Sequence, residues 1–215
     1  MAKRVLKSVT KKSDTREKIL RGAFKAFHKK GYNGTSIQDI IEAAKVPKAS
    51  SYNHFKSKQQ LAIEVLDLYA KTVQNCMIGP AESSPLELLR IYFEQSIHQH
   101  EEWGFETGCM IGNFTAEISN TEEVLRAFVV RAFDLWTTAI EDVLVKAQEK
   151  GEILATQNPK ELAAYILNSY HGAVLRGKLT RDRTPYDLFL KLTFDPILGR
   201  VTTSSNRRFG SKNKR

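Results

Sequence analysis

From Asp14 onward, apolar residues recur three and four positions apart. Ile19, Leu20, Ala23, Phe24 and Phe27 share one stripe of segment 14–30, the spacing of a helix with one buried face. Ile37, Ile40, Ile41 and Ala44 repeat it over 36–44, and Leu61, Val65, Leu66, Tyr69 and Val73 over 57–77. Between them, Lys45-Val46-Pro47 breaks the pattern and 48–55 makes a short helix. Later helices are predicted near 85–100, 108–118, 121–150, 159–178 and 185–198. Start signals support these bounds. Asp14/Glu17, Thr35/Gln38, Ser57/Gln60, Ser84/Glu87, Asn120/Glu123 and Asn158/Glu161 have the spacing of a capping side chain and an acid or amide three residues on. Pro85, Pro159 and Pro185 suit a first helical turn, and Gly31 and Gly151 suit helix ends. No alternating stretch of useful length predicts a strand. The fold class is all-α, with about nine helices.

The chain has 215 residues, enough for one ordinary domain or two small ones. Apolar runs are only a few residues long, which argues against a membrane span. No apolar stretch follows the basic start in the manner of a secretion signal. Cys76 and Cys109 make neither a disulfide framework nor metal-ligand spacing, which fits a reducing, cytoplasmic setting.

Charge changes this picture more than composition does. The net charge is +9, but residues 1–58 carry +11, residues 59–199 carry −8 and residues 200–215 carry +6. A basic module joined to an acidic body points to a polyanionic partner for the module. Residues 1–12 have no apolar period and read as a flexible basic arm. Residues 200–215 read as a disordered basic tail.

Inside the basic module, helix 37–44, turn 45–47 and helix 48–55 have the lengths of a helix-turn-helix. The second helix of such a unit lies in the major groove. It carries Lys48, Ala49, Ser50, Ser51, Tyr52, Asn53 and His54, a set of small and polar residues suited to bases and phosphates. Thr35 stands before the first short helix, where a phosphate is favoured, and Lys58 opens the next.

These residues resemble the DNA-binding domain of TetR-family transcriptional regulators. The match runs through Thr15-Arg-Glu-Lys-Ile-Leu, Phe27, Gly31-Tyr32, Thr35-Ser-Ile-Gln-Asp-Ile and Val46-Pro-Lys-Ala-Ser-Ser-Tyr-Asn-His-Phe-Lys-Ser-Lys58. It is sharpest at Tyr-x-His-Phe-x-x-Lys. The resemblance implies that Thr35, Tyr52, His54 and Lys58 hold phosphates, and that Lys48, Ala49, Ser50 and Asn53 face the groove. Ser51 departs from the family, which usually has an apolar residue there. The implied organisation is a DNA-binding domain over 13–73 with its helix-turn-helix at about 37–56, and a larger helical domain for ligand binding and dimerisation over 74–199. The implied function is a homodimeric repressor on an inverted-repeat operator in double-stranded DNA, released by a small-molecule or electrophile effector. An activator of the same fold is the alternative.

In the acidic body, Tyr92, Trp103, Phe105, Asn113, Phe114, Trp136 and Tyr170 are candidate lining for an effector pocket, because pockets combine aromatics with a few polar groups. Ordinary core packing is the competing reading. Leu162, Ala163, Ile166, Tyr170, Ala173 and Val174, with Leu188, Phe189 and Leu192, form stripes on the last two helices. The family uses that helix pair for dimerisation, whereas packing within one subunit would give the same pattern.

The segment from Gly108-Cys109 to Ala116-Glu117 opens a helix after a glycine-broken loop. A thiol at a helix start has a lowered pKa. The segment also resembles the branch of the TetR family that includes electrophile-responsive repressors of the NemR type, which implies a thiol sensor at Cys109 with Lys178 near it. A buried, inert cysteine is the alternative.

A reading from another class is a helical enzyme with a basic extension facing nucleic acid or membrane. Against it, the chain has no phosphate-binding glycine loop, no metal-spaced ligand set and no nucleophile–base pair. His98 and His100, two apart, do not share a helical face and read as solvent residues. No enzyme activity, cofactor or metal is expected.

Overall fold

Thr15–Lys30 forms α1, and Ile37–Ala44 forms α2. The structure, a computed structural model, describes residues 15–47, 54–75, 83–118 and 122–198. Lys58–Asn75 is α3, Pro85–Glu102 α4, Met110–Ile118 α5, Glu123–Glu149 α6, Pro159–Thr180 α7 and Thr184–Leu192 α8, followed by a π-helical turn, Thr193–Ile197. Among the described residues these are eight α-helices and no strand. The arm 1–12, the tail 200–215, Cys76, and Lys48 through Asn53 lie outside the described residues.

The caps explain most of the helix bounds. Ser84 accepts from the Glu87 amide at 3.1 Å, and Asn158 from the Lys160 amide at 3.1 Å, each ahead of a proline. Ser57 accepts from the Gln60 amide at 3.0 Å. One cap is shifted from the sequence reading. Ser36, not Thr35, caps α2, paired with Asp39 in a reciprocal box. The Thr35 hydroxyl is turned inward, so the next residue meets the free amides. Helix α6 starts at Glu123, and Glu122 makes no side-chain cap because its carboxylate is engaged elsewhere. The last predicted helix, 185–198, is divided. α8 stops at Leu192, and the Leu198 amide bonds to the Thr193 carbonyl at 3.0 Å, five residues back. Pro196 supplies no amide to the α-helical ladder, which favours that wider turn.

The N-terminal head packs α1 against α2 and α3. Its core is Ile19, Leu20, Ala23, Phe24 and Phe27 from α1, Ile40, Ile41 and Ala44 from α2, Phe55, and Leu61, Ala62 and Val65 from α3. Gly22 lets α1 and α2 cross closely, since a Cβ there would lie 2.7 Å from the Ile40 carbonyl oxygen. In the body, α6 is the central element, packed by α3, α4, α5 and α7, while α8 covers α7 and α4. Head and body share one buried cluster. Phe114 of α5 meets Phe27 edge-on, ring centroids 5.5 Å apart, and packs against Tyr32 at 5.6 Å. No helix among the described residues is long and apolar enough to cross a membrane.

Candidate nucleic-acid interface and sensor site

In the head, the described part of the helix-turn-helix is α2 and the turn Lys45–Pro47, in which Lys45 takes a left-handed conformation, φ 55°. Lys48, Ala49, Ser50, Tyr52 and Asn53 are outside the described residues, and His54, which follows them, is half-buried. The remaining two candidates hold the turn between α1 and α2. Thr35 is 1% exposed, and its hydroxyl donates to the Gly31 carbonyl at 2.6 Å and lies 3.2 Å from that of Ala26. This corrects the expectation of a phosphate-facing Thr35 side chain. Lys58 Nζ donates to the carbonyls of Tyr32 and Thr35, both at 3.1 Å, and sits 4.2 Å from the centre of the Tyr32 ring. Its charge is thus fastened to the turn rather than extended into solvent. Exposed at the same end is Ser36, whose hydroxyl and amide are paired with Asp39.

Several polar contacts join the head to the body. His28 Nε2 donates to the Gly108 carbonyl at 2.9 Å. The Asn33 amide donates to Glu117 Oε2 at 2.7 Å, and Asn33 Nδ2 to the Glu117 carbonyl at 3.2 Å. Gln59 Nε2 donates to Glu122 Oε2 at 2.8 Å. Burial holds the His28 ring neutral, with its pKa pushed down to about 4. Tyr32 is pushed up to about 12, by burial and then by the Glu122 charge.

The seven candidate pocket residues fall into three groups. Tyr92, Trp136 and Tyr170 come together, with ring centroids 6.5 Å apart for Tyr92–Trp136 and 6.1 Å for Trp136–Tyr170. Ser96, His100 and His171 join them. The Tyr170 hydroxyl lies 2.5 Å from Ser96 Oγ and 3.2 Å from His100 Nε2, and the His171 ring meets Trp136 at 5.3 Å. Trp136 Nε1, His171 Nε2 and His100 Nδ1 are buried without a partner. Such orphans are rare in folded proteins. Trp103 and Phe105 form a second group, against His28 and Tyr186 respectively. Phe114 lies at the head–body contact, and Asn113 accepts from Lys178 Nζ at 3.2 Å. The first group carries no charge. Burial lowers His100 to about 3 and His171 to about 4, and raises the Tyr170 phenol.

Residues 19–65 match the family described as Bacterial regulatory proteins, tetR family, and residues 85–193 match the Tetracyclin repressor-like, C-terminal domain. The chain belongs to the TetR family. It is 33% identical over 198 residues to the HTH-type transcriptional repressor DhaR of Mycobacterium sp. (strain GP1), covering 91% of this chain and 98% of that one. It is 25% identical over 181 residues to the repressor NemR of Escherichia coli K12, covering 81% and 89%. Among solved structures it resembles a TetR regulatory protein from Rhodobacter sphaeroides, with a TM-score of 0.79, 25% identity, and coverage of 84% and 97%. The family sets aside the enzyme reading and makes the chain a DNA-binding transcriptional regulator.

In this TetR-family regulator the surroundings of Cys109 fit the buried alternative. Cys109 is 2% exposed, and burial pushes its thiol pKa up, although amides of the following helix and the Tyr69 hydroxyl pull the other way. Tyr69 Oη lies 3.8 Å from Sγ. Lys178 is held by Asn113 and is not among the groups that stabilise the thiolate. His100 is also corrected. It is buried and bonded to Tyr170, whereas His98 is exposed.

The stripes assigned to dimerisation divide in the same manner. Ala163, Ile166, Tyr170, Val174 and Phe189 pack inside the protomer. Leu188 and Leu192 instead stay exposed and, with Tyr165, Gly172 and Arg176 from outside the predicted stripes, line an open groove of about 540 Å³ between α7 and α8.

The contacts of His28, Ser96, His171, Glu117 and Glu122 carry no signal in the local sequence. Ser36/Asp39 was readable as a Ser-x-x-Asp pair. The partners of His28 and Glu117 lie about eighty positions away in the chain, beyond any local pattern.

Proposed function

We propose that this protein is a homodimeric repressor that binds an inverted-repeat operator and leaves it when an uncharged small molecule enters the body. The observation that carries the effector reading is the group of buried, unpartnered nitrogens at Trp136, His171 and His100, set among aromatic rings. A buried polar group without a partner costs about 1–3 kcal/mol, so a ligand that accepts from the Trp136 indole and pairs with the histidine nitrogens would be favoured. Burial that keeps His100 and His171 neutral would also penalise a charged ligand, which favours neutral effectors.

On DNA, Tyr52 and His54 are assigned to phosphates, with Lys48, Ala49, Ser50 and Asn53 in the groove. Ser36, exposed at the start of α2, takes the phosphate place in preference to Thr35, because the helix dipole favours phosphate there. Lys58 and Thr35 act by fixing the turn. The exposed groove between α7 and α8 fits a second copy of the chain, because a symmetric dimer matches a palindromic operator. The setting is cytoplasmic. Effector entry would favour the protein state in which the two heads no longer match half-sites about 34–36 Å apart.

The test is selection of bound fragments from sheared host genomic DNA at near-physiological salt, where phosphate-only binding is weak. Fragments sharing an inverted repeat are expected. Recovery of DNA with no shared sequence would refute the operator reading. An increase in transcription when the protein binds a recovered site would turn the repressor into an activator.

A further inference from the structure

The turn Gly31–Thr35 joins α1 to the first helix of the helix-turn-helix, and so sets the angle between them. Gly31 has φ 73°, and its amide closes α1 on the Phe27 carbonyl at 2.9 Å. The turn is held from two sides. From within the head, Lys58 takes the carbonyls of Tyr32 and Thr35. From the body, Glu117 at the end of α5 takes the Asn33 amide at 2.7 Å. The Glu117 carboxylate also lies flat on Gly31, where a Cβ would fall on its oxygen atoms. Asn33 returns a second bond, from its side-chain amide to the Glu117 carbonyl. Only glycine combines the left-handed conformation with room for the carboxylate.

This is an unusual place for an acid. The end of α1 carries the negative pole of its helix, which disfavours a carboxylate. Lys29 and Lys30 in the last turn of α1 offset that pole. A short bond from a backbone amide to a charged acceptor is stronger and more directional than a neutral contact. Packing alone would have been served by an apolar residue on Gly31. The carboxylate adds a defined direction.

We infer that Glu117 is a positioning residue for DNA recognition: its carboxylate fixes the turn that sets the angle of the helix-turn-helix relative to the body. Because α5 also begins at the loop bonded by His28, displacement of α5 would move this grip together with the head.

The test uses the full-length protein with Glu117→Ala and Glu117→Gln. Three quantities are read: affinity for a recovered operator fragment, affinity for random duplex, and amide exchange of α1 and α2. A positioning role predicts that Glu117→Ala weakens operator binding about tenfold while random-duplex binding stays within about twofold. Protection of α1 should be retained, with faster exchange confined to the turn and α2. Glu117→Gln keeps an acceptor for the Asn33 amide and should restore most of the affinity. Unchanged operator affinity in Glu117→Ala would overturn the inference. So would equal loss on both DNAs, or loss of protection throughout the head, because each assigns Glu117 to stability alone.

Discussion

His28 of the DNA-binding head donates its Nε2 hydrogen to the Gly108 carbonyl, 80 residues further along the chain and at the start of the segment leading into α5. The bond fixes the tautomer of a ring whose pKa burial lowers to about 4. Trp103 packs edge-on against the same ring, centroids 4.7 Å apart. His28 therefore serves the head–body contact in its neutral form.

Acid should loosen the protein through His28 and its two buried counterparts. Desolvation lowers His28 and His171 to about 4 and His100 to about 3, while an unfolded histidine titrates near about 6.5. The folded values are the depressed ones, so folding favours the neutral rings. That stability is complete above about pH 6.5 and is lost as pH falls toward about 4. Each histidine contributes about 1.4 kcal/mol per pH unit within the window. Urea unfolding between about pH 7 and pH 4.5 should show the decline, with a shallower slope in His171→Leu. The lowered carboxylates, Asp39, Glu123 and Asp182, act at still lower pH. A flat profile across the window would contradict the assignment.

Cys109 should react slowly in the native protein. The thiolate is the reactive species, and burial raises the thiol pKa here. In a Cys76→Ser background, iodoacetamide labelling at neutral pH should be at least about tenfold slower native than in urea. Equal rates would restore the reactive-thiol expectation drawn from the Gly-Cys motif.

That motif marks where local reading stopped. Helix periods, the Pro85 and Pro159 starts and the Gly31 and Gly151 ends were legible because each depends on neighbours within a turn or two. The choice between a sensor thiol and a buried one at Cys109 was not, since it depends on Tyr69 and the packing around α5. Thr35 failed for a related reason. Its hydroxyl serves the carbonyls of Ala26 and Gly31, a choice made by the fold of the turn, and Ser36 takes the cap. The stripe on α7 is legible as apolar from its spacing. Which of its edges faces inward depends on where α6 and α8 lie.

Trp136 and Tyr170 should respond to truncation to different degrees. Tyr170 Oη is bonded to Ser96 and His100, so Tyr170→Phe should cost about 1–3 kcal/mol. Trp136 Nε1 has no partner, and Trp136→Phe removes an unsatisfied donor along with part of a ring. Its net cost should be smaller than that of Tyr170→Phe, at about 1 kcal/mol or less. The same variant should lose release from operator DNA by a neutral effector. Calorimetric melting compares the two changes. A larger loss at Trp136 than at Tyr170 would mean the indole is ordinary core.

The outer face of α7 and α8 makes the last prediction. Leu188 is 55% exposed and Tyr165 50% exposed, and both line the open groove with Gly172 and Arg176. Leu188→Glu places a charge where a second copy would bury it, without touching the inward residues Tyr170 and Phe189. The protomer fold should survive, so circular dichroism should be unchanged. Sedimentation should move from dimer to monomer. Operator affinity should fall by about 100-fold or more, because the second head then binds from solution rather than at a high effective concentration. Random-duplex affinity per protomer should change far less. A variant that stays dimeric, or a monomer that keeps full operator affinity, would place the pairing of heads elsewhere on the molecule.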